Sequence, residues 1–168
     1  MANQLYHLAQ VNIARMRAPL DQPEMADFVA RLAEINALAD RSPGFVWRLQ
    51  TEAGDATYLR PYADDSILFN LSVWESIEQL KDYVYRSAHR ELIRQRQQWF
   101  EKLESLHLAL WWVSAGHLPS IAEAKQRLDY LRQHGETAHA FSFKRTFQPD
   151  ECGEESFVML PWEPCRTA

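Results

Sequence analysis

The sequence predicts an α+β fold, in which a ferredoxin-like split βαβ sheet is followed by an extra C-terminal α–β unit. Segments with strand-type alternation and segments with apolar residues three or four positions apart follow one another in the order β-α-β-β-α-β. A further helical segment and a further strand-like segment come after these six. The length of 168 residues suits one domain with a substantial core. We therefore expect a domain over residues 1–147 and a flexible or partner-contacting tail over residues 148–168.

Strands are predicted where apolar and polar side chains alternate between turn-forming residues. The five predicted strands are Leu5–Met16, Phe45–Gln50, Ile67–Val73, Leu106–Val113 and Ala138–Phe147. The stretch between the second and third strands contains Gly, Pro and Asp residues. We expect a long loop there, and loops of that length in compact domains are often functional.

Three helical regions are predicted between these strands, each with an apolar stripe at helical spacing. The middle region, Glu75–Leu103, is expected in two pieces that meet near Ser87. The first and third regions begin with the spacing of a capping box, which pairs Asp21 with Glu24 and Ser120 with Glu123.

Charge and cysteine content narrow the classes of partner and compartment. The formal net charge is −5. The middle helical region contains Arg96 and other arginines together with Glu91, so we expect a solvated face of mixed charge there and no nucleic-acid partner. Cys152 and Cys165 both lie near the end of the chain, which fits a reducing compartment. Met1–Leu8 lacks a signal-peptide pattern, and no apolar run reaches membrane-spanning length. We therefore expect a cytoplasmic protein without a membrane partner.

A split βαβ sheet carries its helices on one face, so the other face needs a cover. Two copies can pack their open faces together and enclose a cavity between sheet and helices. Aromatic residues make up 12% of the chain, including six Trp, which suits such a cavity or interface, although an aromatic-rich core is an equal alternative. We expect a homodimer formed through the open sheet face.

Several stretches resemble a bacterial family known as domain of unknown function 3291, which is placed in the dimeric α/β-barrel superfamily. The resemblance covers almost all of the chain before about residue 148, and it rests on HLAQVNIARM from His7, PGFVWRLQTE from Pro43, SVWESIEQL from Ser72, YRSAHRELIRQRQQWF from Tyr85, LWWVSAGHLPSIAEAKQRLDYL from Leu110 and AFSF from Ala140. The superfamily includes antibiotic-biosynthesis-type monooxygenases, haem-degrading monooxygenases and haem- or substrate-binding relatives. The resemblance thus implies a dimeric α/β barrel with a ligand cavity.

No motif for a metal, nucleotide or redox-dithiol site occurs in the sequence. HExxH, CxxC, GxSxG, Walker A and GxGxxG patterns are absent, and the six His have no metal-ligand spacing. We therefore expect neither a metal site nor a cofactor. Haem held by His89 is the alternative that the resemblance implies.

His89 and Asn12 are the candidate catalytic residues. His89 lies where the two helical pieces meet, and it is similar to the His of haem-degrading barrel monooxygenases, which works there with an Asn and a Trp. Asn12 resembles that Asn, whereas Trp74 opens the helix and the Trp of the relatives lies further along it, near Gln79. Histidine suits either ligation or proton transfer. The alternative role of His89 is a helix cap or a bond to a neighbouring backbone group.

Polar residues in the middle of predicted strands are the candidate ligand-binding residues. Buried polar groups need partners, so a cluster of them lines a wet cavity or an interface. Arg48 either holds a substrate carboxylate or phenolate through its fork or pairs with an acidic residue across the dimer. Of the adjacent Trp111 and Trp112, only one can face a cavity. The predicted binding set is Gln10, Arg48, Asn70, Trp74 and Trp112, with Ser72 on the same strand as Asn70.

The predicted function is the binding of a small aromatic or polycyclic metabolite in the cavity, with a monooxygenase-like reaction. In that reaction His89 removes a phenolic proton, and Asn12 and Arg48 stabilise the anion. The alternatives are a non-catalytic ligand-binding or sensor module and a haem-binding protein. We expect Asn12, Arg48 and His89 to converge on one cavity, which leaves Trp47 for the core.

Overall fold

The computed structural model describes residues 6–152 of the chain. In this part of the chain the strands are β1 (Tyr6–Met16), β2 (Phe45–Arg48), β3 (Ile67–Trp74), β4 (Phe100–Glu101) and β5 (Leu108–Ser114). The helices are α1 (Ala26–Asp40), α2 (Ile77–Arg86), α3 (His89–Gln95) and α4 (Ile121–His134), with single 3-10 turns at Pro23–Met25, Arg96–Gln98 and Pro149–Glu151. None of these helices is both long and apolar enough to cross a membrane.

The strands form one antiparallel sheet in the order β2-β3-β1-β5, and β4 pairs with the end of β1. This is the order of a split βαβ sheet, in which β3 lies between β1 and β2. A bulge between Phe45 and Trp47 interrupts the pairing of β2 with β3. The predicted α+β class with a ferredoxin-like sheet is confirmed.

The two faces of the sheet have different chemistry because successive strand side chains point to opposite sides. One face is apolar, and its buried residues are Ala9, Val11 and Ile13 of β1, Ile67, Phe69, Leu71 and Val73 of β3, and Ala109, Trp111 and Val113 of β5. The other face, which α1, α2 and α3 cover, carries the polar residues Gln10, Asn12, Asn70 and Ser72 between apolar ends.

The apolar face is covered by α4 of the same chain. Ala124, Leu128 and Leu131 lie on one side of α4, are fully buried, and belong to the same cluster as Ala9 and Val73. This face was expected to be open for a second copy, and that expectation is wrong because the helix after β5 folds back over it. The homodimer stays a prediction, but the apolar sheet face is not available as its interface.

The segment predicted as a final strand, Ala138–Phe147, is irregular. Phe141 exchanges two backbone hydrogen bonds with Leu110 of β5, and this isolated bridge is its one pairing with the sheet. The next amide, that of Ser142, donates to the Glu136 carboxylate at 2.6 Å, so the ladder does not continue. The extra unit therefore consists of α4 and a docked loop.

The start of the predicted tail is attached to the domain. Residues 149–151 form a 3-10 turn, and Cys152 packs against the cluster that contains Trp112. The predicted tail beyond residue 152, including Cys165, lies outside the described residues.

The local signals at the helix ends are partly confirmed. α1 begins at Ala26 with no side-chain cap, so the capping box predicted at Asp21 is wrong. At α4, Ser120 Oγ accepts the Glu123 amide at 3.1 Å, as expected. The Glu123 carboxylate turns away from the cap and accepts hydrogen bonds from Trp111 Nε1 at 3.0 Å and meets His117 Nε2 at 2.8 Å.

Gly44 turns the chain from α1 into β2. Its φ of 76° is in the region that favours glycine, and a Cβ at this position would collide with the Gln79 side chain at the start of α2. The turn therefore sets how closely the α1–β2 connection approaches α2.

Candidate functional site

A cavity with two lobes lies between the polar face of the sheet and the helices α1–α3. The smaller lobe, of about 150 Å³, lies against α1, and the larger lobe, of about 300 Å³, lies against α2 and α3. The lobes share part of their lining, including Gln10, Asn12, Asn70, Tyr83 and His89. Pockets for drug-sized ligands begin at about 300 Å³. The cavity therefore suits a small ligand.

The floor of the cavity is a row of polar side chains on β1 and β3. Asn12 and Asn70 are directly opposite each other, and Asn70 Nδ2 donates to Asn12 Oδ1 at 3.0 Å. This single bond leaves one amide NH2 group and one amide carbonyl without a partner in the described part of the chain. Both groups are available to a ligand.

A second polar pair continues the same row. Ser72 Oγ donates to Gln10 Oε1 at 2.8 Å and accepts from Trp74 Nε1 at 3.0 Å. This chain of bonds satisfies the indole N–H of a Trp that is almost fully buried. Ser72 thus fixes the orientation of the Trp74 ring at the cavity wall.

Aromatic rings form the wall between the floor and the helices. Trp74 stacks on Tyr83 with ring centroids 5.0 Å apart, and Phe45 meets Trp74 edge-on at 5.4 Å. Burial raises the pKa of Tyr83, and the nearby Arg48 charge offsets this increase only in part. Tyr83 therefore stays protonated at neutral pH and acts as a neutral wall.

His89 joins this wall at the first residue of α3. Its backbone N–H donates to Ser87 Oγ at 3.1 Å, and its ring lies 4.8 Å from that of Tyr83. Burial lowers the pKa of His89, and a hydrogen bond with the Val84 backbone opposes this shift. Its buried Nδ1 has no hydrogen-bond partner among the described residues. A neutral imidazole keeps one nitrogen as an acceptor, so His89 can accept a proton.

Arg48 lines the smaller lobe, but its guanidinium is already bound within the chain. Its Nε and Nη2 donate to the two carboxylate oxygens of Asp40 at 2.7 and 3.2 Å, and its Nη1 donates to Gly54 O at 2.7 Å. The acidic partner comes from the end of α1, so the pairing that was considered across a dimer occurs inside one chain. Three of the five N–H groups of the guanidinium are therefore used within the chain, and its charge is paired with the Asp40 carboxylate.

Most of the predicted site residues are brought together. Asn12, Arg48 and His89 all line the smaller lobe, as do Gln10, Asn70, Ser72 and Trp74. Trp47 packs against the apolar cluster under α4, on the face opposite the cavity, as expected if Arg48 faces the cavity.

Trp112 is not among the residues that line the cavity. It lies on the cavity side of β5, but Phe141 and other residues of the C-terminal loop cover it, and its Nε1 donates to Phe147 O at 2.8 Å. Its predicted place beside a ligand is therefore taken by the loop.

Two residues of the larger lobe had no predicted role at the site. The charge of Arg96 predicted a solvated face, whereas its spacing put it on the inner stripe of the helix with Leu92 and Ile93. In the structure it lines the cavity together with these two residues. His107, just before β5, lines the same lobe. Burial lowers the pKa of His107, and the positive charge of Arg96 lowers it further. The signal for Arg96 was its spacing of seven residues from His89, which places both on one helix face.

Haem fits this cavity less well than a smaller ligand does. His89 offers an unpartnered nitrogen for axial ligation, but neither lobe exceeds about 300 Å³, the lower limit for drug-sized ligands, and haem is larger than these. Among residues 6–152, no three His, Cys, Asp or Glu side chains lie close enough to hold a metal ion.

Two solved structures are similar in fold to this chain. One is SnoaB from Streptomyces nogalater, described as a cofactor-independent oxygenase, here as its N63A mutant; identity is 16%, coverage is 68% of this chain and 98% of that chain, and the TM-score is 0.44. The other is NE2512 from Nitrosomonas europaea, a protein of unknown function, with 13% identity, coverage of 70% and 99%, and a TM-score of 0.43.

The sequence profile described as Domain of unknown function (DUF3291) matches residues 7–156, which is most of the chain. No curated protein sequence matches the chain. The profile match confirms the resemblance found in the sequence motifs and extends over every element that forms the cavity. The protein belongs to the DUF3291 family.

Proposed function

We propose that the protein binds a small aromatic molecule in the two-lobed cavity and that His89 accepts a proton from it. The observation that carries this proposal is the buried, unpartnered Nδ1 of His89 on a ring that lines both lobes. Buried polar atoms without partners are rare in folded proteins and call for a functional explanation. A ligand hydroxyl supplies the missing partner.

The surroundings of His89 suit a phenolic ligand. Trp74 and Tyr83 offer apolar ring surface, and the free amide NH2 of the Asn12–Asn70 pair can donate to a phenolate oxygen. Removal of the proton by neutral His89 leaves an electron-rich anion. Its reaction with dioxygen is balanced without an external reductant, since one phenol and one O2 give one quinone and one water.

A second candidate function is binding without turnover, and the state of Arg48 favours it. The cationic group predicted to stabilise the anion is held by Asp40 and Gly54. Beside His89 the developing charge then meets the neutral amides of the Asn12–Asn70 pair, and electrostatic stabilisation is usually the largest contribution to catalysis. In this alternative the same cavity serves a sensor or carrier.

Titration with β-naphthol, followed by calorimetry and then by oxygen uptake and mass spectrometry, tests both functions. We expect the wild type to bind β-naphthol and form a quinone, and His89→Gln to lower turnover by about a hundredfold or more. His134→Gln, an exposed histidine on α4, is the matched control. Absence of binding contradicts the proposal, and binding without oxygen uptake favours the second function.

Haem binding is tested in the same preparation. Addition of haem should produce no Soret shift that depends on His89, and a shift that is lost in His89→Ala would favour the haem-binding alternative. We also propose a cytoplasmic location, because the two cysteines, Cys152 and Cys165, fit a reducing compartment.

A further inference from the structure

We infer that the larger lobe binds an acidic group of the ligand through Arg96, so that the ligand is an aromatic anion such as a carboxylate. The inference rests on the proposed function, because it defines the ligand class of the same cavity. It assigns to Arg96 the anion-binding role that was predicted for Arg48, whose charge is paired with Asp40.

Arg96 lies on the same helix face as His89. Residues 89, 92, 93 and 96 are three, four and seven positions apart, which places them on one side of α3 and the turn that follows it. All four line the larger lobe. Two helical turns separate positions 89 and 96, a rise of about 10 Å. A ligand can therefore reach His89 with one end and Arg96 with the other.

The guanidinium of Arg96 has no partner in the described part of the chain. Its side chain makes no hydrogen bond or ion pair there, although it is partly buried. Other partly buried arginines are paired: Arg31 with Gln95, Arg48 with Asp40, and Arg132 with Leu106 O. A partly buried charge that loses water without gaining a partner is unfavourable, and a bound anion removes this cost.

The larger lobe favours an anion over a cation. Among residues 6–152, Arg96 is the one permanently charged residue that lines this lobe, and no Asp or Glu of this range lines it. Ile93, Phe100 and Leu108 add apolar surface to the lining of the same lobe, and an ionic contact is stronger in such surroundings than in water. His107 on the same wall remains neutral at neutral pH because burial and the Arg96 charge lower its pKa.

A matched pair of ligands tests the inference: β-naphthoate, which is ionised at neutral pH, and the uncharged β-naphthamide of nearly equal shape. Calorimetry measures both with wild type, Arg96→Gln and Arg94→Gln. Arg94 is the control because it lies on the same helix, is exposed, and faces Glu91 rather than the cavity. We expect wild type and Arg94→Gln to bind the carboxylate about tenfold or more tightly than the amide, the range of hydrogen bonds to charged groups. Arg96→Gln should lose that preference.

The outcomes separate this inference from the proposed function. If wild type binds both probes equally, the inference is overturned and aromatic binding stands. If wild type binds neither probe, the inference is overturned, and the proposed function is overturned with it when β-naphthol does not bind either. Equal loss of preference in Arg94→Gln and Arg96→Gln would assign the effect to net charge and overturn the role of Arg96. Arg96→Lys, which keeps the charge, should retain part of the preference, and its failure to do so in a folded protein counts against the inference.

Discussion

Removing the carboxylate of Asp40 should destabilise the protein, because Arg48 then loses its bidentate partner. Two charge-assisted hydrogen bonds, at 2.7 and 3.2 Å, join the two side chains. Hydrogen bonds to charged groups contribute about 1.5–3 kcal/mol when they are well shielded. The Asp40 side chain is 47% exposed, whereas that of Arg48 is 13% exposed. Solvent screening on the Asp40 side reduces the expected coupling to about 1 kcal/mol.

A double-mutant cycle with Asp40→Ala, Arg48→Ala and the double variant isolates this coupling, measured by urea unfolding. The loss of about 1 kcal/mol corresponds to a decrease in Tm of about 2–4 °C for a protein of this size. The exposed pair Arg86–Asp82, at 3.2 Å on α2, is the matched control and should show a coupling of about 0.3–0.5 kcal/mol. A coupling near zero for Arg48 and Asp40, together with lost ligand binding in Arg48→Ala alone, would refute the structural role and restore Arg48 as an anion holder.

Three further predictions concern α4, the histidines and the α1–β2 turn. Leu128→Ala should cost about 2–5 kcal/mol of unfolding free energy, since Leu128 is fully buried under the sheet; a cost no greater than that of Val29→Ala, at an exposed site, would contradict the docking of α4. Burial lowers the pKa of His139 from 6.5 to about 4, so the stability that the neutral histidine contributes is complete above pH 6.5 and is lost as the pH falls from 6.5 toward 4. The dependence of Tm on pH across this range should be weaker in His139→Asn than in wild type. Identical pH profiles would exclude His139 as the cause. Gly44→Ala should lower Tm mainly through its φ of 76°, because the Gln79 side-chain end that a Cβ would meet can move; recovery of the wild-type Tm in Gly44→Ala combined with Gln79→Ala would contradict this.

Strand parity predicted the cavity floor from the sequence. Because side chains two positions apart share a face, Gln10 with Asn12 and Asn70 with Ser72 had to lie together once the strand order was known. The same rule placed Arg48 opposite Trp47. What parity cannot give is the position along the sheet, so it did not show that the C-terminal loop covers Trp112.

The remaining differences concern contacts between segments that are distant in the sequence. The apolar stripe of α4 could be recognised in the sequence, but helical periodicity does not show which surface the stripe covers. For this reason an open sheet face was predicted where α4 packs. Alternation also predicted a strand around Phe141, where the Glu136 carboxylate competes for the backbone amide of Ser142. The partner of Arg48 was within reach of sequence reasoning, since Asp40 ends the helix that leads into β2.

The position of α4 also has a consequence for how the protein responds to dilution. The apolar sheet face is buried by a helix of its own chain, so the stability gained from burying this face comes from contacts within one molecule. When burial requires a second copy, mass action makes the midpoint of unfolding rise with protein concentration. Because α4 covers this face within one chain, we expect the burial of the apolar sheet face to be independent of protein concentration.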